Sequence, residues 1–207
     1  MYLPLHIGLS LTSDYLTISL LEYVSHRWFM HRPQLAKLTG SAYLDATWKE
    51  HMHHHGQCYD IFDYEEGPCG LLNLTLKHST ELLVSLVPCV LIWFVDPLTA
   101  YLLPAMALLH GVLWSAVHAE MHRPQKTWFS KTRLFKDLHR YHFLHHRHMG
   151  TNFNTLFLGW DWILRTAAKA TEEDRREIQD RTYRVRPKRV APDRLLRSQI
   201  TRVLRGD

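Results

Sequence analysis

Two long stretches of the chain are almost uniformly apolar. Residues 82–95 read LLVSLVPCVLIWFV, Asp96-Pro97 interrupts them, and residues 98–117 continue as LTAYLLPAMALLHGVLWSAV. Such runs predict helices that are apolar all round, and the Asp-Pro dipeptide predicts a turn between them, so the pattern is that of a helical hairpin. The second arm, about 20 residues, matches a hydrocarbon core about 30 Å thick; the first is short unless residues 74–81 extend it. Pro88 and Pro104 would break a soluble helix, whereas membrane helices tolerate proline when neighbours restore the freed backbone groups. A third apolar segment, residues 3–24, carries His6, Asp14 and Glu22. It is expected to be a helix that either spans a bilayer or lies in its interface, with Thr12-Ser13-Asp14 as a candidate cap. It lacks the basic start and small-residue cleavage site of a secretory signal, so it is read as retained.

The distribution of charge favours a bilayer over a soluble core. All 25 Lys and Arg lie within residues 27–77 or 123–205. Basic segments stay on the cytoplasmic side, which puts both of these regions in one compartment and the Asp96-Pro97 turn opposite them. The net charge of +5 is local: residues 1–168 hold 13 basic and 13 acidic residues, residues 169–207 hold 12 and 7. The chain therefore divides into a membrane-embedded unit, 1–168, and a charged tail, 169–207. Within the tail, residues 171–181 (TEEDRREIQDR) predict an exposed helix capped by Thr171. The basic end, residues 184–205, is short and almost without aromatic residues, so nucleic acid is not an expected partner. Its Arg/Leu alternation suits a lipid surface, and a solvated flexible end fits equally well.

Composition adds the chemistry. Sixteen histidines stand against three scattered cysteines, Cys58, Cys69 and Cys89, with no CxxC pair. That excludes a disulfide scaffold, a thiolate zinc finger and an iron-sulfur protein. Ten of the histidines fall in four boxes: His26 and His31 (HxxxxH), His51, His54 and His55 (HxxHH), His118 and His122 (HxxxH), and His142, His145 and His146 (HxxHH). At this composition the expected number of HxxHH matches is roughly 0.1, so two are not coincidence. On a helix, positions i, i+3 and i+4 lie within about 100° of one another, and each HxxHH box should direct three imidazoles one way. HxxxxH is less regular, but Arg32-Pro33 predicts the end of its helix, and a loosened last turn would bring His31 round.

Imidazole suits Zn, Cu, Fe and Ni, and ten ligands exceed what one ion holds, so two metals are implied. A zinc hydrolase would show HExxH, which is absent. A passive metal store would explain the histidines but not the membrane hairpin. Carboxylates should offset the charge and orient the rings, and Glu50, Glu120, Asp137 and Asp161 are the candidates. His53, His139 and His148 are adjacent but off the boxes and are read chiefly as surface residues. His110, two helical turns before His118, either lines a passage or is a packed, hydrogen-bonded histidine.

The boxes in this order, with Glu22-Tyr-Val-Ser-His26-Arg before the first and Asn152-Phe-Asn154 and Gly159-Trp-Asp161 after the last, resemble the fatty acid hydroxylase/sterol desaturase superfamily of membrane di-iron oxygenases. The resemblance covers about residues 21–166. It implies that His26, His31, His51, His54, His55, His118, His122, His142, His145 and His146 are the metal ligands at the cytoplasmic rim. The cofactors would be two iron ions, replaceable by zinc, with O2 as co-substrate. The activity would be hydroxylation of an aliphatic C–H bond in a lipid, with desaturation as the alternative within the superfamily. The alternative from another class is a non-catalytic membrane metal-binding protein. No fused electron-transfer domain is present, so a separate cytochrome b5-like, ferredoxin-like or reductase partner is implied. The chain is short for the family, which points to a homo-oligomer or a shallower, partly monotopic seating. Trp93, Trp114, Trp128, Trp160 and Trp162 are candidate interface anchors. The fold expected is all-α: an integral membrane helical hairpin plus an N-terminal hydrophobic helix, with a cytoplasmic histidine-rich helical cap.

Overall fold

The computed structural model describes residues 3–57, 87–122 and 127–183, the last five of them by backbone alone. Residues 82–86 of the expected first hairpin arm, Cys58, Cys69, and the basic end at 184–205 lie outside the described residues. Those that are described form helices and turns, with no strand among them.

Helix α1, Leu3–Val24, runs without a break into a π-helical turn, Ser25–Met30, closed by the His31 amide on the His26 carbonyl at 3.2 Å. Arg32 and Pro33 stop it there. Helix α2, Gln34–Thr39, ends at Gly40, whose φ of 64° is the left-handed cap that glycine adopts without cost. Helix α3, Ala42–Gln57, starts behind Ser41, whose Oγ accepts from the Leu44 amide at 3.3 Å. Residues 87–93 are helical, the chain turns at 94–96, and α4 follows as Pro97–His122. Proline at the first position of α4 needs no amide partner, and the Asp96 carboxylate accepts from the Leu98 and Thr99 amides.

After a short 3-10 turn, Phe129–Lys131, Thr132 caps α5, Arg133–Arg147, by accepting from the Phe135 amide. Helix α6 is the single turn Gly159–Ile163. Helix α7, Glu172–Tyr183, opens with a reciprocal cap: the Asp174 amide donates to Thr171 Oγ1, and the Thr171 amide donates back to Asp174.

Helix α4 is the centre of the molecule. Ile18 of α1 packs on its Leu103 and Ala107, and Phe135 and Leu138 of α5 pack on its Val117 and Met121. Contacts between α1 and α4 advance together along both chains: His6 with Asp96, Ser10 with Thr99, Ile18 with Leu103, Glu22 with His110 and Trp114. The two helices therefore run parallel, and both deliver their C-terminal ends to the same place. Helix α4 is 26 residues long, about 39 Å at the helical rise, and holds Glu120 as its one acidic or basic residue apart from histidines. It is long and apolar enough to cross a membrane.

Helix α7, expected as an exposed helix, is exposed at Glu172, Glu173, Arg175 and Arg176 and docked along its other side. Arg147 pairs with Glu173, Asp174 and Glu177, and Ile178 packs against Phe143 and Leu144 of α5.

Candidate metal centre

The ten box histidines meet where the π-turn, α3, α4 and α5 converge. They form two groups: His26, His31, His51, His55 and His145 in one, His54, His118, His122, His142 and His146 in the other. Within each group the ligand nitrogens all lie within 4.8 Å of one another.

Local geometry explains the membership. The π-turn's i→i+5 bond puts residues five apart on one face, which is how HxxxxH supplies both His26 and His31 to one group. In each HxxHH box the i and i+4 rings, about 40° apart around the helix, go together: His51 with His55, and His142 with His146. The i+3 ring, about 100° from its neighbour, crosses to the other group, so His54 joins the second and His145 the first. This corrects the expectation that each box aims three rings one way. The groups abut, with the His55 and His146 rings stacked at 4.2 Å between centroids.

Nitrogen spacings test the fit to a metal. In the first group Nε2 to Nε2 distances are 3.1 Å for His26–His51, 2.9 Å for His31–His51, 3.1 Å for His51–His55, 3.2 Å for His31–His145 and 3.1 Å for His55–His145. In the second they are 3.2 Å for His118–His122, 2.9 Å for His122–His142 and 3.0 Å for His142–His146. Donors about 2.1 Å from one ion stand about 3.0 Å apart at right angles and about 3.4 Å apart in a tetrahedron. The observed spacings are the right-angled ones, and five nitrogens exceed a tetrahedral set.

Protonation agrees. His26 Nδ1 donates to the Phe153 carbonyl and His145 Nδ1 to the Thr151 carbonyl, the latter at 2.7 Å. A neutral imidazole has one N–H, so both rings turn a bare Nε2 lone pair inward. Bare Nε2 lone pairs of His26 and His145 aimed into one buried group need a proton or a cation among them. Burial holds His31, His51, His55, His142, His145 and His146 well below the usual imidazole value, and for each of them the next largest cause is a neighbouring imidazole, His26 in the case of His145. At neutral pH these rings are uncharged donors.

Of the four expected carboxylates, Asp161 is fully buried and accepts from the Phe153 amide at 2.9 Å, the Asn154 amide at 2.8 Å and Thr166 Oγ1 at 2.6 Å. It thus fixes the loop whose carbonyls receive the His26 and His145 hydrogens. Glu120 is buried on α4 and accepts from the Thr127 amide and hydroxyl. Glu50 is exposed on α3. Asp137 is exposed on α5 and pairs with Arg140 and Arg133. His53 is exposed, His139 stacks on Phe135, and His148 pairs with Asp174.

His110 is a packed histidine, its Nε2 3.3 Å from Glu22 Oε2. Glu22 is the residue that box-centred reasoning passes over. One turn before His26, it accepts from Trp114 Nε1 at 2.9 Å, the Thr155 amide at 2.7 Å and Asn154 Nδ2 at 3.1 Å. Its signal in the sequence is its place four residues before the first ligand candidate, in a helix whose one other carboxylate is Asp14. The backbone acceptors Thr151 and Phe153 leave no mark in the sequence at all.

Comparison with the curated proteins and with the solved structures finds no match. The fatty acid hydroxylase family model matches residues 13–166, from inside α1 to the loop after α6, and so takes in all ten clustered histidines. With three quarters of its length matched in this way, the chain belongs to the fatty acid hydroxylase family.

Proposed function

We propose that this protein hydroxylates an aliphatic C–H bond of a membrane lipid, using O2 and two iron ions held by the ten clustered histidines. The observation that carries the reading is the convergence of those histidines into two adjoining sets of five, in a chain of this family. Five neutral nitrogens per ion leave a sixth position of an octahedral metal for a small molecule, which favours a redox-active ion over a closed structural zinc site. Iron, when bound, supplies O2 activation and electron transfer. The protein's part is to hold the donors, exclude water and place the lipid. His26 and His145 are held in one tautomer by loop carbonyls, and the burial of His31, His55, His142, His145 and His146 keeps the centre dry.

A bilayer location is supported by α4 and by the outer faces of the helix pair. Leu3, Leu5 and Leu9 of α1 and Tyr101, Leu108, Leu109 and Leu113 of α4 are exposed and apolar. Helix α6 adds exposed Trp162 and Ile163 and is tied to α1 by the Trp160 Nε1 hydrogen bond to the Leu16 carbonyl. The helical residues 87–93 set Cys89 and Ile92 against Ile18, Leu103 and Ala107, where the end of a hairpin's first arm would lie. Basic residues flanking the histidine end favour the cytoplasmic side for the centre. Electrons would come from a separate donor protein.

The test is to supply membranes containing the full chain with iron, an electron donor system and isotopically labelled O2, and to profile their lipids. A labelled hydroxyl in a lipid product is expected. New double bonds without label would establish the desaturase reading, and bound metal without oxidised lipid under competent electron supply would establish passive metal binding.

A further inference from the structure

We propose that Asp161, which hydrogen-bonds none of the ten histidines, is the positioning residue that fixes His26 and His145 and thereby sets the metal affinity of one group, that of His26, His31, His51, His55 and His145. This rests on the metal-binding reading above and goes beyond it by making the two ions unequal in how they are held.

The link is a single peptide unit. No peptide bond is cis among the described residues, so the Phe153–Asn154 unit is planar with its C=O and N–H on opposite sides. Its N–H donates to Asp161 Oδ2 at 2.8 Å, and its C=O accepts the His26 Nδ1 hydrogen. A buried carboxylate pulling on one side of that peptide orients it and strengthens the acceptor on the other. The Phe153 amide and Thr166 Oγ1 complete the hold through Asp161 Oδ1, and the Asp161 carbonyl accepts from the Thr166 and Ala167 amides.

The second ring is tied through the residue between the two carbonyls. Asn152 has a φ of 56°, a left-handed conformation that asparagine tolerates. It is held there by Nδ2 on the Tyr141 carbonyl at 3.0 Å, by the Ala168 amide on its Oδ1 at 2.7 Å, and by its own amide on the Thr166 carbonyl. That turn lets the carbonyls of Thr151 and Phe153 reach two rings that belong to the same group. Fixing the N–H on Nδ1 leaves Nε2 as the donor and raises its basicity, and losing such outer contacts typically weakens metal binding about 10- to 100-fold.

The experiment loads the full chain with ferrous iron under anaerobic conditions and titrates it with a chelator, following iron per chain and Mössbauer spectra, with circular dichroism to follow helix content. Asp161→Asn puts an NH2 group where an amide hydrogen must be accepted. One iron is then expected to be lost at about 10- to 100-fold lower chelator than in the wild type while the other is retained, at unchanged helix content. Thr166→Val, which removes one donor to Asp161, should weaken the same ion less and serves if Asp161→Asn does not fold. Release of both irons in parallel, or release unchanged in both variants, overturns the proposal. A wild-type chain that binds no iron overturns the metal-binding reading instead.

Discussion

His145 shows how much one residue of the centre is asked to satisfy. Its Nδ1 is bonded to the Thr151 carbonyl, its Nε2 faces those of His31 and His55, and it is fully buried. His145→Ala is expected to lose bound iron and lipid oxidation together, whereas His53→Ala, on the exposed side of α3, should keep both; metal analysis and product profiling of the two variants check this. Titration has a definite sign. The folded rings lie well below the imidazole value of 6.5, so below that pH the unfolded chain binds more protons than the folded one. The metal-free protein should therefore lose stability as pH falls through 6.5, with iron opposing the loss; thermal unfolding at pH 7.5 and 5.5, with and without iron, measures it. At this scale the box histidines were legible because their spacing is periodic and their number improbable. The partners of their Nδ1 atoms were not, because a backbone carbonyl acceptor can belong to any residue type.

Elements decide which histidine joins which group. The HxxxxH spacing signalled a distorted turn through Arg32-Pro33, and the structure supplies a π-turn. The division of each HxxHH box between two groups was not legible, since it depends on α3 and α5 approaching from different sides. Nor was the docking of α7, which rests on Arg147 reaching residues 26 to 30 positions away. The parallel pairing of α1 with α4 turns on Glu22, which joins both helices to the 151–155 loop. Glu22→Ala removes the buried carboxylate that accepts from Trp114 Nε1 and the Thr155 amide and should cost about 3 kcal/mol. Thermal unfolding in detergent would register this, and a variant as stable as the wild type would show that the loop is held by other contacts.

At the scale of the whole molecule, the α1 and α4 pair carries apolar residues on its outer faces and the ten box histidines at one end. Exposed leucines line α1 and α4, while the clustered histidines gather at the shared C-terminal end of the pair. The all-helical class and the apolar length of α4 were readable from the absence of charge. The register of α1 against α4 was not, because it follows from contacts between segments some 90 residues apart. A chain built this way should remain in the membrane fraction after alkaline carbonate washing, and release into the supernatant would count against bilayer insertion. The proposed function requires each set of five histidines to hold an iron ion. Iron-edge X-ray absorption of the anaerobically reconstituted full chain tests it most directly. Two irons per chain are expected, each with about five nitrogen neighbours near 2.1 Å and the outer-shell pattern of imidazole. A single iron, or a shell without imidazole, would contradict it.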